Sequence, residues 1–386
     1  MTQGALTDPA GLYIHIPFCM AKCPYCDFFS ITDHSLKKPL LKAIEMEMAM
    51  VDLPDAIFDT IYFGGGTPSV LDPENIEHLI KNAMTSFCMS SSAEITLEVN
   101  PGTADLEKLK GFKAAGVNRL TLGVQSFFDS SLKFLGRIHS AKQSALSIEQ
   151  SRMAGFDNIG IDLIYGIAGQ SQTAWINDLK KAVEYQPEHI SCYMLTYEPG
   201  TPMEKKKQQH AFEPLEDSVV CDLFNLTIDY LGSHNYTCYE ISNFALEKPG
   251  NKKDYRSKHN WKYWTLTTYI GIGPSAHSYI KPVRYKNISN VETYIKKINS
   301  GQSVIEEKEI LSKEQQMIEA VYLGLRKING LDMTCFEHGF SDNFVKPFKD
   351  KITFLEKKGM LTVNKNHCRL TRKGLLFHNS IAAMLI

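Results

Sequence analysis

Tyr13-Ile14-His15-Ile16-Pro17-Phe18-Cys19-Met20-Ala21-Lys22-Cys23-Pro24-Tyr25-Cys26-Asp27-Phe28 sets three cysteines at C-x3-C-x2-C spacing just after a short apolar run. Leu12–Ile16 reads as a β-strand, so the cysteines fall on the loop that leaves it. Thiolates are the ligands of iron–sulfur clusters, and a cubane cluster has four irons. Three cysteine ligands leave one iron open, as a metal site must when it also binds a second ligand. The competing reading is a structural zinc, which asks for a fourth Cys or His at tetrahedral spacing. His15, inside the strand, and the Asp27 carboxylate are the local candidates for it.

Outward from this loop, apolar runs alternate with amphipathic ones. Thr60–Phe63, Ile95–Val99, Arg119–Val124, Ile159–Ile164 and Ile190–Leu195 are short and bounded by Gly, Pro, Asn or Ser, as strands are. Lys37–Val51, Pro73–Ser86, Asp105–Ala115, Lys142–Ala154 and Ala174–Tyr185 carry helical periodicity between them. Repeated strand–helix–strand units imply right-handed crossovers and a parallel sheet. The expected fold is α/β, a partial (β/α)6 TIM-like barrel.

The second half is less regular. Leu215–Gly232 reads as a helix, and a tyrosine-rich segment (Tyr236–Phe244) and a polar run (Lys248–Lys258) follow it. Near the C-terminus, Glu314–Arg326, Phe344–Lys358 and Lys373–Leu385 are helical, with two short strands meeting at Asn364–His367. That pattern predicts a C-terminal α+β winged-helix-like module. The boundary falls near Val283–Ser312, giving domains 1–283 and 284–386.

Function in a barrel of parallel strands collects in the loops at the strands' C-terminal ends. The second strand runs into Gly64-Gly65-Gly66-Thr67-Pro68-Ser69, where glycines let a ligand approach the backbone. Later strands end in Glu98-Val99-Asn100-Pro101-Gly102, Gly123-Val124-Gln125-Ser126-Phe127 and Asp162-Leu163-Ile164-Tyr165-Gly166. Singly, each polar residue is more often a satisfied polar group or a cap. Together they make the polar rim that a cofactor needs.

With 42 basic and 43 acidic side chains, the balance points to neither nucleic acid nor a polybasic membrane surface. No apolar run reaches the roughly 20 residues of a membrane span, and the first twelve residues lack the pattern of a secretory signal. The six cysteines outside the cluster are scattered among apolar neighbours and read as buried hydrophobes of a reducing compartment. The expected location is cytoplasmic.

The cysteine loop, the glycine turn and the partial barrel resemble the radical SAM superfamily. Tyr13–Cys19, Gly64–Ser69, Glu98–Gly102, Gly116–Arg119, Gly123–Phe127, Leu135–His139 and Asp162–Gly166 resemble in particular its branch of oxygen-independent coproporphyrinogen III dehydrogenases and related heme chaperones. The resemblance implies a [4Fe–4S] cluster on Cys19, Cys23 and Cys26, with S-adenosylmethionine (SAM) chelating the open iron. It implies that Tyr13 and Tyr25 flank the cofactor and that Gly65, Gly66 and Thr67 meet its methionine part. Glu98, Gln125 and Arg137 would be polar contacts. Asp162 would bind the ribose, as acidic residues do in dinucleotide sites.

Two readings follow. One is an oxidoreductase acting on a porphyrinogen propionate; the other is a carrier that keeps cluster and SAM and delivers heme. The dehydrogenases add a cysteine two residues after the third, where this chain has Asp27-Phe28. They also carry a longer segment before the first strand. His259-Asn260-Trp261-Lys262-Tyr263-Trp264 resembles the signature of the chaperones, as does Tyr239–Phe244. Neutral imidazole is a good axial ligand of heme iron, which makes His259 the candidate contact. Spacing alone favours a packed aromatic cluster around a hydrogen-bonded histidine, since such clusters are common in cores; the resemblance turns the reading toward heme. His277 is a second candidate ligand or a structural residue. The expected partners are heme and an acceptor protein, membrane-associated respiratory proteins included, with no nucleic acid and a monomeric or homodimeric state. The C-terminal module is expected to pack or dock.

Overall fold

The computed structural model describes residues 8–248, 250, 253–341 and 343–385. The N-terminal seven residues, and Pro249, Asn251 and Lys252 of the polar run, lie outside the described residues.

All six expected strands form: β1 (Ala10–Ile16), β2 (Ile57–Gly65), β3 (Cys88–Val99), β4 (Arg119–Gln125), β5 (Ile159–Tyr165) and β6 (His189–Met194). Each is parallel to the next. The crossover helices are Lys37–Met50, Pro73–Ser86, Leu106–Ala114, Ala141–Met153 and Gln172–Glu184. Short polar side chains start several of them. Ser140 and Gln143 form a reciprocal capping box, and Ser171 accepts from the N–H of Ala174.

The strands alternate in an unusual sense for a parallel sheet. Leu12, Ile14, Ile61, Phe63, Ile95, Leu97, Leu120, Leu122, Ile161 and Ile190 join the core beneath the helices. The intervening positions are polar: Tyr13, His15, Thr60, Tyr62, Glu94, Thr96, Glu98, Arg119, Asp162, His189 and Ser191. A parallel strand buried on both faces normally reads as a continuous apolar run. Here the inner face is furnished for a polar ligand.

The sheet extends beyond the predicted barrel. β7 (Tyr236–Glu240) and β8 (Asn243–Leu246) continue the β6 edge antiparallel, with β8 innermost. β9 (Tyr269–Ile272) lies parallel to β1 at the other edge, and β10 (His277–Ile280), β11 (Val283–Asn287) and β12 (Ile305–Ile310) follow antiparallel. The result is a twelve-stranded open sheet among the described residues. The expected boundary near Val283–Ser312 spans β11 and β12, both paired into this sheet. A second sheet of β13 (Leu331–Asp332), β14 (Leu361–Val363) and β15 (His367–Leu370) lies with its own helices after Ile310. None of the described helices is long and apolar enough to cross a membrane.

Candidate functional site: the barrel mouth and its base

The cysteine loop is tied at its neck. Cys19 N–H donates to the Ile31 carbonyl at 2.9 Å, and Ile31 N–H to the Pro17 carbonyl at 2.8 Å. His15 in β1 bonds the Phe29 carbonyl through Nε2 at 3.0 Å, and His34 bonds the Cys19 carbonyl at 3.1 Å. His15 is thereby a strut under the loop, with its other nitrogen 3.2 Å from the Tyr13 hydroxyl. The Gly64–Thr67 turn fits against this neck. Gly66 N–H donates to the Ile16 carbonyl and Thr67 N–H to the Phe18 carbonyl, both at 2.8 Å. A side chain on Gly66 would meet the Pro17 carbonyl carbon at 2.7 Å, so only glycine allows the approach.

The three thiols converge at the mouth, half-buried and free of disulfides. Burial raises the Cys26 thiol above its ordinary range; the Phe28 N–H acts against this, while Cys23 and Cys19 add to it. Among the described residues no group of three His, Cys, Asp or Glu side chains closes on a single metal ion. A cluster gives each thiolate its own iron, whereas a closed zinc centre gathers four ligands on one ion.

A chain of polar groups reaches the sulfurs. Thr67 Oγ1 donates to Cys19 Sγ, and Arg137 Nη1 to Cys23 Sγ, each at 3.5 Å. Asn100 links the two, donating to Thr67 Oγ1 at 2.7 Å and accepting from Arg137 at 2.6 Å. Gln125, at the end of β4, holds a left-handed φ of 66° beside Gly123 and close to Arg137. Strain of that kind in a non-glycine residue concentrates at functional sites. Hydrogen bonds to the Cys23 thiol and the Tyr25 hydroxyl engage the Arg137 guanidinium.

Below the mouth, two carboxyls face the interior. Glu98 accepts from the Tyr62 hydroxyl at 2.8 Å, and burial pushes its carboxyl up to about 7. Burial likewise raises Asp162 to about 6, against a hydrogen bond from Ser191. Among the described residues, Asp162 Oδ1 and Thr96 Oγ1 are both buried without a partner. Unsatisfied buried acceptors of this kind mark where a ligand completes the structure. Together they offer places for a cation and a diol, which fits SAM.

The structure brings nine of the ten expected cofactor contacts to the mouth or the interior below it. His259 lies deepest, on the helix Lys258–Trp264 that closes the base of the barrel, with its ring centroid 6.2 Å from that of Tyr13 and 5.1 Å from that of Tyr62. Its ring stands against Gly11 and Thr60 at the start of β1 and β2. From Gly11 to the loop after Ile16 is about five strand residues, roughly 17 Å. Nδ1 is 2.8 Å from Thr60 Oγ1 and Nε2 2.9 Å from the Tyr263 hydroxyl, so both nitrogens are engaged. Burial lowers its pKa to about 3, which leaves the imidazole neutral. His277 heads β10 with its side chain exposed.

Asn100, Tyr62 and His34 belong to the site although sequence reading assigned them no role in it, and His15, weighed there as a fourth metal ligand, serves as a strut. The signal for Asn100 was its place in Glu98–Gly102. Tyr62 and His34 act through partners 36 and 15 residues away, which spacing does not reveal.

Residues 13–182 match the radical SAM superfamily, and residues 311–377 match the HemN C-terminal domain. The heme chaperone HemW of Lactococcus lactis subsp. lactis (strain IL1403) is 35% identical over 378 residues, covering 97% of this chain and 97% of that protein. The chain belongs to the HemW family. HemW of Bacillus subtilis (strain 168) is 34% identical, covering 96% of this chain and 97% of its own length. HemW of Escherichia coli (strain K12) is 30% identical, with 98% of each chain covered. The fold of this HemW-family chain matches the solved coproporphyrinogen III oxidase (HemN) of Escherichia coli with a TM-score of 0.82 and 24% identity, covering 98% of this chain and 90% of that one. Membership of the radical SAM superfamily implies a [4Fe–4S] cluster and SAM.

Proposed function

We propose that this protein is a heme chaperone that binds heme, holds a [4Fe–4S] cluster and SAM at the barrel mouth, and passes heme to an acceptor protein. End-to-end similarity to proteins named heme chaperone HemW is the observation that carries this reading. The Asp27-Phe28 that follow Cys26 agree with it, since the dehydrogenase reading expects a cysteine there.

Cys19, Cys23 and Cys26 would each hold one iron. A cluster with an open iron supplies SAM chelation and single-electron chemistry when bound. Gly65, Gly66 and Thr67 would cradle the methionine part, Glu98 its ammonium group and Asp162 the ribose diol. Tyr13 and Tyr25 would flank the site, with Gln125 and Arg137 as polar contacts. Arg137 also binds Cys23 Sγ and so adds positive charge beside a thiolate. The free thiols suit the cytoplasm.

At the base, His259 is the heme contact that the motif suggests. Its neutral imidazole is the coordinating form. Ligation through Nε2 requires Tyr263 to release it and the Lys258–Trp264 helix to move outward.

Heme titration of anaerobically reconstituted protein tests the proposal, with His259→Ala beside the parent. A saturable Soret band in the parent supports a carrier, and its loss or shift in the variant assigns His259 to heme. An unchanged band in the variant returns His259 to a packing role. If the parent binds no heme and converts coproporphyrinogen III when given SAM and a reductant, the dehydrogenase reading replaces this one.

A further inference from the structure

The helix Lys258–Trp264 is tethered on both of its faces. At about 3.6 residues per turn, His259, Lys262 and Tyr263 share one face and Trp261 and Trp264 the opposite one. The first face is pinned to the barrel. Lys262 Nζ stands 2.6 Å from Asp59 Oδ1 and donates to the Pro9 carbonyl at 2.6 Å, and His259 N–H donates to Glu94 at 3.3 Å.

The second face is held by the C-terminal module. The Arg326 guanidinium lies 4.3 Å over the Trp264 ring, and Lys327 Nζ is 5.9 Å from that of Trp261. Both cations are themselves fixed. Arg326 Nε donates to Glu240 at 2.8 Å and Nη2 to Ser242 Oγ at 3.4 Å. Lys327 forms an antiparallel bridge with Glu240, and Ile328 N–H donates to the Tyr239 carbonyl at 3.2 Å. Residues 326–328 therefore lie along β7, the end strand of the twelve-stranded sheet. A separate tie, Arg372 to Asp229 at 2.6 Å and to Asn225 at 2.7 Å, holds the module to the helix Asp217–Ser233.

We propose that Arg326 and Lys327 are a latch: with the module docked they hold the helix shut and keep His259 Nε2 on the Tyr263 hydroxyl, and heme is seated only as the latch lets go. This deepens the heme reading of His259 and rests on it. A cation over an indole face is held more strongly when partly desolvated, as Arg326 is beside the buried Glu240. Outward movement of the helix pulls Trp264 off that cation. The closed packing also carries a cost, since Trp264 Nε1 is buried without an acceptor among the described residues, and opening gives it water. The apparent affinity of a site that is open only part of the time is its intrinsic affinity scaled by the open fraction. Docking of the module and seating of heme therefore oppose each other, and each weakens the other by the same factor.

The test uses the full-length, cluster-loaded protein and its Arg326→Ala variant. Hydrogen exchange of the Lys258–Trp264 amides, read by mass spectrometry without heme, is expected to run at least about ten-fold faster in the variant. Exchange over Lys37–Met50 should stay at the parent rate, which separates release of the latch from unfolding of the barrel. Heme affinity, titrated at the Soret band, should rise by the same factor, because both readouts report one open fraction. Lys327→Ala keeps the Arg326–Glu240 pair and should move both readouts the same way by about three-fold. A merely structural role predicts the opposite sign, a loss of heme affinity in the variants. Equal helix exchange in the parent and both variants overturns the latch. Faster exchange with unchanged or weaker heme binding overturns its link to heme. A parent without a Soret band overturns the heme reading beneath it, and the heme-free exchange keeps that failure apart from failure of the latch.

Discussion

Glu98 and Asp162 are both buried in the barrel interior, and the Asp162 charge adds to the cost of ionising Glu98. A cationic ligand reverses that cost. SAM carries an ammonium and a sulfonium group, so its binding favours the ionised carboxyls and releases protons where they were held. With Glu98 at about 7 and Asp162 at about 6, affinity should rise with pH and level off once both are ionised. Isothermal titration of SAM between about pH 6 and about pH 8 should show an increase of up to about ten-fold with net proton release. Glu98→Gln should flatten most of that slope. A slope unchanged by Glu98→Gln would show that this carboxyl does not meet the ligand. Little of this pairing was visible beforehand. Glu98 and Asp162 stood out as polar residues at strand ends, but the Tyr62 hydroxyl on Glu98 and the orphaned Asp162 oxygen depend on which strands become neighbours.

Strands β1 to β6 were readable because their outward faces alternate apolar residues under amphipathic helices. β7 to β12 were not. They are four to six residues long and lie toward the sheet edges. Ile305–Ile310 is almost wholly exposed, so no buried face imposes a pattern on it. What anchors this added flank is a buried side chain on the first crossover helix. Glu47 accepts from Gly273 N–H at 2.7 Å, from Asn287 Nδ2 at 2.6 Å and from the Tyr294 hydroxyl. It thus joins the helix Lys37–Met50 to the turn after β9, to β11 and to the helix Val291–Asn299. Gly273 in turn backs onto the His15 carbonyl, so the junction supports the strand that feeds the cysteine loop. Burial raises the Glu47 carboxyl from 4.5 to about 7. In that window the folded protein holds a proton that the unfolded chain has released, so stability falls as pH rises from 4.5 to about 7 and changes no further above it. The loss is on the order of 3 kcal/mol. Urea unfolding of Glu47→Gln at about pH 5 and about pH 8 should show a smaller difference than in the parent. An equal difference in both proteins would remove Glu47 as its source.

At the scale of the molecule, one buried apolar cluster runs through the barrel and the C-terminal module, and charged contacts cross between them. Glu240 is fully buried, and Arg326 is its charged partner at 2.8 Å. Removing one member of such a pair leaves a charge in a dry place, at a cost of about 3–5 kcal/mol. Arg326→Ala should therefore loosen the module. Calorimetry should show its transition separating to lower temperature while the barrel transition stays near its parent value. A single unsplit transition would mean that the module's other contacts suffice to hold it. The small winged-helix-like pattern was evident from its two strands and three helices. The way it docks was not, because the partners Glu240, Asp229 and Asn225 lie about 90 to 150 residues away in sequence.

The contact has an optical side. Of the three tryptophans, Trp261 and Trp264 occupy the one short helix at the base of the barrel. Arg256 sits 5.1 Å from the Trp261 ring, and Arg326 of the module 4.3 Å from that of Trp264. Trp175 is sealed in the core with its indole N–H held by Thr227 at 2.8 Å, and it contributes a steady background. Indole emission responds to water and to adjacent charge, so the fluorescence of the native chain is weighted toward the junction of barrel and module. A porphyrin absorbs strongly where indole emits, and one seated near that helix would darken it. The chain therefore carries its own gauge of docking, readable without any attached dye.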